Sequence, residues 1–296
     1  MSRVKTILIT GSSGFIAGHL ASILNQESCR VVGVDKSPVQ APGLDKVYKA
    51  SLTNSLEHVF ASEHIDVVIH CANHWGDDEF EINVHGTTRW LEEAKAHGAG
   101  LQIFLSSLSA KQDAIADYGR AKYHLENPFI SSQGVVFRLG LVVGNGGMFD
   151  RIKRSMKKSP FVPLIDNGRQ NVHVLGVTTL SHIIKDCVLT NGEGLRGRVW
   201  QIHQPQSCTL RDVMEGIRTQ FGYSCHFVPL PSLPILWAVS LVEKLRVIKL
   251  PISSTNLKGL RQSQDEDFSS DFAHFGYPEQ DLQQLISDAA EAERCG

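Results

Sequence analysis

Apolar and polar positions alternate along the first half of the chain in two periods. Short apolar, β-branched runs stand at Val4–Ile9, Arg30–Val34, around Val47, Asp66–His70, Leu101–Leu105 and Val135–Leu139, and each reads as a strand. Between them, apolar residues recur at helical spacing over Gly14–Leu24, Ser55–Ala61, Glu79–His97 and Asp117–Ile130, the last broken by Pro128. Strands that alternate with helices imply right-handed βαβ crossovers, so the fold class is α/β with a doubly wound parallel sheet covered on both faces. The period lapses at Gly144–Gly147 (GNGG), a loop, and the order is less regular beyond it. Thr209–Phe221 is a further helix, with Thr209 as N-cap and Asp212 at the third position. The apolar segment Leu233–Leu250 is expected to pack inside a second domain; a lid, a partner-binding helix or a membrane-surface patch would have the same pattern.

Composition changes this picture little. With 296 residues, 42% hydrophobic and 20% charged, the chain is of ordinary globular type. A net charge of -2 without long runs of one sign gives no support to nucleic-acid binding. The longest apolar stretch is well short of the roughly 20 residues that span a bilayer, and Met1–Thr10 has no signal-peptide pattern. Six cysteines lie at 29, 71, 187, 208, 225 and 295 without a CxxC pair, which points to free thiols in a reducing, cytoplasmic setting. The thirteen histidines form no ligand pair on a helix, so no metal site is expected.

Candidate chemistry gathers at three places. Thr10–Gly18 (TGSSGFIAG) joins the first strand to the first helix. Glycines there let the backbone turn and approach a pyrophosphate, and the helix N-terminus offers free N–H groups to that anion. Asp35 ends the second strand, where a carboxylate accepts the ribose hydroxyls of an adenosine and repels a 2′-phosphate; a solvated strand-end acid is the other reading. NAD is thereby preferred to NADP, and the neighbouring Lys36 softens that preference. Tyr118 and Lys122 stand four apart on a helix, so they share a face, and an ammonium near a phenol lowers its pKa from about 10. Ser106 and Ser107 end the preceding strand, the edge where open α/β sheets bind ligands. A solvated helix face would also produce Tyr118 and Lys122.

In order along the chain, TGSSGFIAGHL, DVVIHCAN, NVHGT (Asn83–Thr87), FLSS (Phe104–Ser107), YGRAK (Tyr118–Lys122), FRLGLVVG (Phe137–Gly144), IDNGRQNVHVLGV (Ile165–Val177) and VWQIHQPQSCTLRDV (Val199–Val213) resemble the short-chain dehydrogenase/reductase superfamily. The likeness is to its extended, nucleotide-sugar epimerase and dehydratase branch, and the tail LKGLRQSQDEDFSSDFAHFGYPEQDL is similar to the same branch. The resemblance implies a Rossmann-type domain over residues 1–144 with a return segment at about 172–203. A smaller C-terminal α/β substrate domain would take 145–171 and 204–296. It implies NAD, bound by Gly11, Gly14, Phe15, Ile16, Asp35 and Lys36, with Ser51 and Leu52 near the adenine. Cys71, Ala72, Asn73, Asn83 and Ser106 would line the cofactor, and Ser107, Tyr118 and Lys122 would be catalytic. Ser107 is the serine expected to hold the reacting hydroxyl, since it lies just past the strand end.

The sequence departs from that pattern in several places. Ala17 takes the third glycine position, Ser51 replaces the usual acid before Leu52, and Gly176 replaces an acid in the substrate-side stretch. The interval from Ser107 to Tyr118 is short, and no Asp-Glu pair follows Ser107 as in 4,6-dehydratases. His74 and Trp75 fall where a loop flanks cofactor and substrate. The implied activity is an NAD-dependent epimerase, or a close oxidoreductase, acting on a nucleotide sugar, as a cytoplasmic homodimer. A reductase of a non-sugar carbonyl or alcohol and a non-catalytic dinucleotide sensor are the alternatives. Net consumption of NAD(P)H marks the first of these.

Overall fold

Strong β-branched runs and amphipathic stretches settle into regular alternation over the first 139 residues. The computed structural model describes residues 4–27, 29–231 and 268–295, so Leu233–Leu250 and much of the tail motif lie outside the described residues. The chain forms β1 (Thr6–Thr10), α1 (Phe15–Gln26), β2 (Arg30–Asp35), β3 (Lys46–Lys49), α2 (Glu57–Ser62), β4 (Val67–His70), α3 (Glu79–Ala96), β5 (Leu101–Ser107), α4 (Asp117–Ser131) and β6 (Val135–Leu139). Then come β7 (Leu141–Val143), α5 (Gly147–Lys158), β8 (Phe161–Ile165), β9 (Asn171–Val172), β10 (Val174–Gly176), α6 (Val177–Leu189), β11 (Arg198–Ile202), β12 (Cys208–Thr209), α7 (Leu210–Gln220), β13 (His226–Leu230) and α8 (Leu282–Cys295).

Two units can be separated. The first runs through Gln112 and takes in Asp117–Leu139 and Val177–Ile202. It contains a seven-stranded sheet of order β11-β6-β5-β4-β1-β2-β3, every neighbouring pair parallel. The strand order reverses between β1 and β4, whose last residues Thr10 and His70 are in register, and a doubly wound sheet opens its ligand crevice at such a point. One face is sealed by a cluster that includes Leu8, Val32, Val68, Phe60 and Trp90. A second cluster joins Phe104 and Val136 of the sheet to Leu91 of α3 and to Leu125 and Phe129 of α4.

Pro128 does not break α4, contrary to expectation. The helix continues to Ser131, the Pro128 carbonyl accepts from Ser132 N, and Phe129 stacks on Phe104 with centroids 4.7 Å apart. A proline inside a helix costs about 3 kcal/mol, and burial of the neighbouring Phe129 offsets it.

The second unit takes Asp113–Ala116, Gly140–Gly176 and the chain from His203 on. Its strands pair two by two: β7 with β10 and β8 with β13 in parallel, β9 with β12 antiparallel. α5, α7 and α8 close over a core that includes Phe149, Met156, Leu164, Ile217 and Ile286. Thr209 caps α7 in a capping box with Asp212. Among the described residues no helix is long and apolar enough to cross a membrane.

Candidate active site

The turn after β1 is held against the end of β4. Thr10 Oγ1 accepts hydrogen bonds from the backbone N–H groups of Cys71 and Ala72, each at 3.2 Å. Gly11 lies next to that contact with φ +68°, and a Cβ there would sit 2.8 Å from Ala72 Cα. Only glycine fits both the angle and the space. Gly14 then serves as the N-cap of α1, and no side chain caps the helix. The first-turn N–H groups, beginning at Phe15 and Ile16, are left for an anion. Ser12 Oγ is buried with no partner among the described residues.

Asp35 completes this edge. Its carboxylate accepts from Ser13 N at 3.1 Å and Ser37 N at 2.9 Å, one bond to each oxygen, and retains lone pairs for ribose hydroxyls. Lys36 is exposed beside it. Ser51 is engaged with Thr53 and Asn54, while Leu52 is buried beneath α3, where a Cβ on Gly86 would come within 2.3 Å of its carbonyl oxygen. An uncapped helix start, a glycine turn without room for a methyl group and a strand-end carboxylate fit a dinucleotide.

The proposed catalytic residues meet at the carboxyl end of β5. Ser107 lies beside the Tyr118 phenol, and its Oγ is 2.9 Å from Ser109 Oγ. Lys122 is buried behind them; its Nζ donates to the Leu105 carbonyl at 2.8 Å and lies 5.6 Å from the centre of the Tyr118 ring. Ser106 faces the other way, as the period of a strand dictates. Its Oγ donates to Glu126 at 2.6 Å. Glu126 in turn holds Arg138 through Nε at 2.7 Å and Nη2 at 2.5 Å.

The electrostatics differ from the expectation for a lysine-tuned phenol. Burial pushes the Tyr118 phenol up to about 12; the neighbouring Ser107 hydroxyl opposes the rise and the Glu79 charge adds to it. Burial also brings Lys122 down to about 8, against the pull of Cys71 and Glu126. Tyr118 is therefore a neutral phenol near pH 7, because desolvation dominates its surroundings, while the Lys122 ammonium is engaged with the Leu105 carbonyl. Cys71 is no nucleophile: burial raises its thiol to about 12, with Lys122 opposing.

The loop from β4 to α3 forms a further wall. Asn83 is buried, and its carboxamide accepts from His74 N at 2.8 Å while donating to His74 O at 2.9 Å and Glu79 O at 2.7 Å. Asn83 thus secures the loop. Asn73 Nδ2 also donates to His74 O at 2.9 Å. Trp75 stacks on Tyr118, centroids 5.1 Å apart. Glu79 was not anticipated: an acid in the first turn of a helix reads as ordinary dipole pairing. Here its Oε1 is buried without a partner among the described residues, and burial, reinforced by Asp117, raises its pKa against Asn73 and His74.

A model of the NAD dependent epimerase/dehydratase family matches residues 7–159. The chain belongs to that family. Within this NAD-dependent family it is 32% identical over 126 residues to a dTDP-D-glucose 4,6-dehydratase of Dictyostelium discoideum, covering 35% of this chain and 29% of that protein. It is 32% identical over 128 residues to UDP-glucose 4-epimerase 2 of Oryza sativa subsp. japonica, covering 35% and 31%. The chain thus spans less than a third of the length of these curated relatives. The fold matches the UDP-glucose 4-epimerase of Thermotoga maritima crystallised with UDP-glucose, at 18% identity, TM-score 0.73, and 98% and 99% of the two chains. It also matches the NAD complex of the UDP-glucose 4-epimerase of Thermus thermophilus, at 18% identity, TM-score 0.69, and 98% and 99% of the two chains.

Proposed function

We propose that this NAD-dependent family member acts on a nucleotide-activated sugar through a transient keto intermediate, with Ser107, Tyr118 and Lys122 as its catalytic residues. The observation that carries the reading is the Tyr118 phenol beside Ser107 at the end of β5, with Lys122 buried behind it and its Nζ 5.6 Å from the centre of the Tyr118 ring. They lie in the same unit as the uncapped start of α1. The glycine turn and Asp35 would hold the cofactor, and bound NAD supplies a reversible hydride acceptor.

The chain's own residues manage the proton. Ser107 orients the reacting sugar hydroxyl toward Tyr118. The neutral phenol gives a proton to the developing alkoxide in the reducing direction. By microscopic reversibility the same oxygen receives the hydroxyl proton in the oxidising direction. Lys122 holds a positive charge near the ring and favours the phenolate that this step forms. Leu108, Ser109 and Ala110 follow Ser107 without a carboxylate, so expulsion of water lacks the acid–base pair a 4,6-dehydration needs, and epimerisation is favoured. The second unit is assigned to substrate recognition, and a cytoplasmic homodimer belongs to the same reading.

Mass spectrometry of small molecules that co-purify with the protein, followed by incubation with UDP-glucose and dTDP-glucose, tests the proposal. Bound NAD and an epimerised sugar with no net NADH consumption are expected. Stoichiometric NAD(P)H consumption would transfer the chain to the reductases, and a 4-keto-6-deoxy product would overturn the preference for epimerisation.

A further inference from the structure

Single exposed apolar side chains are ordinary on any protein surface. Trp75 differs in how firmly it is held and in what it covers. One face of the indole lies on the Tyr118 ring, with centroids 5.1 Å apart and planes 16° from parallel. The residue nevertheless keeps 53% of its surface open. His74, immediately before it, is clamped through both its backbone N–H and its carbonyl by Asn83. Gly76, immediately after it, turns the chain at φ +120°. The His74 ring Nε2 lies 3.1 Å from the Asp77 carbonyl oxygen, closing the loop across Trp75. A large aromatic face is thus fixed in advance beside the phenol, with little ordering left to do when a ligand arrives.

We propose that Trp75 is a specificity-determining residue: a platform against which the hexose ring of the substrate rests while its reacting hydroxyl meets Ser107 and Tyr118. This rests on the nucleotide-sugar reading. A hexose has C–H bonds on the faces of its ring and hydroxyls around its rim. The indole face carries the negative end of the ring quadrupole and attracts such C–H groups. The choice also suits an enzyme that inverts a carbinol. A side chain that reads the ring face, and makes no hydrogen bond to the inverted hydroxyl, accepts both epimers.

The test is calorimetric titration of NAD-loaded wild type, Trp75→Ala and Trp75→Phe with UDP-glucose, UDP-galactose and UDP alone. Wild type should bind both UDP-hexoses more tightly than UDP. Trp75→Ala should weaken both UDP-hexoses about tenfold while leaving UDP and NAD unchanged, and Trp75→Phe should recover part of the loss. In turnover the same change should raise KM more than it lowers kcat. A UDP-hexose should also quench tryptophan emission in wild type by a component absent from Trp75→Phe and not elicited by UDP. Equal weakening of UDP and UDP-hexose, or no weakening at all, would overturn the platform and leave the nucleotide-sugar reading intact. A wild type that gains nothing from the hexose would overturn both.

Discussion

Gly11→Ala places one methyl group in the tightest backbone approach of the cofactor turn. The new Cβ would lie 2.8 Å from Ala72 Cα and 2.9 Å from Ala72 N. Unstrained carbon contacts settle near about 3.5–4.0 Å, so the turn after β1 and the end of β4 must part by about 1 Å. Overpacking of this kind costs about 1–3 kcal/mol. The left-handed φ of +68° adds about 1–2 kcal/mol for any residue with a Cβ. A total near 2–5 kcal/mol is a large part of a typical stability of about 5–15 kcal/mol, and the melting temperature should fall by on the order of 10 °C. The same movement shifts the N–H groups at the start of α1, so the Kd for NAD should rise at least about tenfold. Gly18→Ala is the internal control. It lies on α1, its Cβ would meet nothing within 4 Å, and it should stabilise by about 0.5–1 kcal/mol. Thermal and urea unfolding, with calorimetric NAD titration, read both effects. If Gly11→Ala melts with wild type and binds NAD equally well, the tight-approach reasoning is wrong.

Asp35→Ala should weaken NAD about tenfold and erase discrimination against NADP, because it removes the carboxylate that faces a 2′-phosphate; unchanged NAD:NADP selectivity in paired titrations would refute that role. His70 is buried, and desolvation lowers its pKa from 6.5 to about 4, with Gln102 opposing and Lys122 reinforcing. The unfolded chain therefore takes up a proton that the folded chain refuses as pH falls from about 6.5 to 4, and stability drops across that window. His70→Gln should reduce the loss between about pH 7 and pH 5 by about 2 kcal/mol in urea unfolding, and identical slopes in the two proteins would contradict the assignment. Glu126→Gln leaves the Arg138 guanidinium without its buried carboxylate and should cost about 3 kcal/mol; a loss below about 0.5 kcal/mol would show that the pair adds nothing.

Much of the sheet was legible because its strands are short β-branched runs with glycine turns and amphipathic helices between them. Val67–His70 and Val135–Leu139 cannot be mistaken for surface. The capping box of Thr209 and Asp212 likewise announces α7. Elements of the second unit were harder to read for physical reasons. β7, β9, β10 and β12 have two or three residues each, too few to display a period. α5 starts at a glycine, and its buried face includes Lys153, held by Asp150 and Glu293. In the first unit, α6 is rich in valine, isoleucine and threonine, which favour strands, yet it packs against α1. At the site, a strand-end serine and a tyrosine and lysine four apart could be placed in one region by topology alone. What spacing does not reveal is where side chains turn and how dry they become. Ser106 pairs with Glu126, Asn83 secures a loop, and the Tyr118 phenol rises because it is buried.

Turnover of Tyr118→Phe with a UDP-hexose is the most direct measurement of the proposed chemistry. The substitution keeps the ring, and with it the Trp75 stack, but removes the oxygen beside Ser107 that is proposed to exchange the substrate proton. NAD titration and a thermal melt, run beside the assay, should match wild type. With fold and cofactor intact, kcat should fall about 10²–10⁴-fold, the range supplied by a positioned acid–base group. A Tyr118→Phe enzyme that interconverts the sugar at the wild-type rate would contradict the assignment of Ser107, Tyr118 and Lys122 as the catalytic residues.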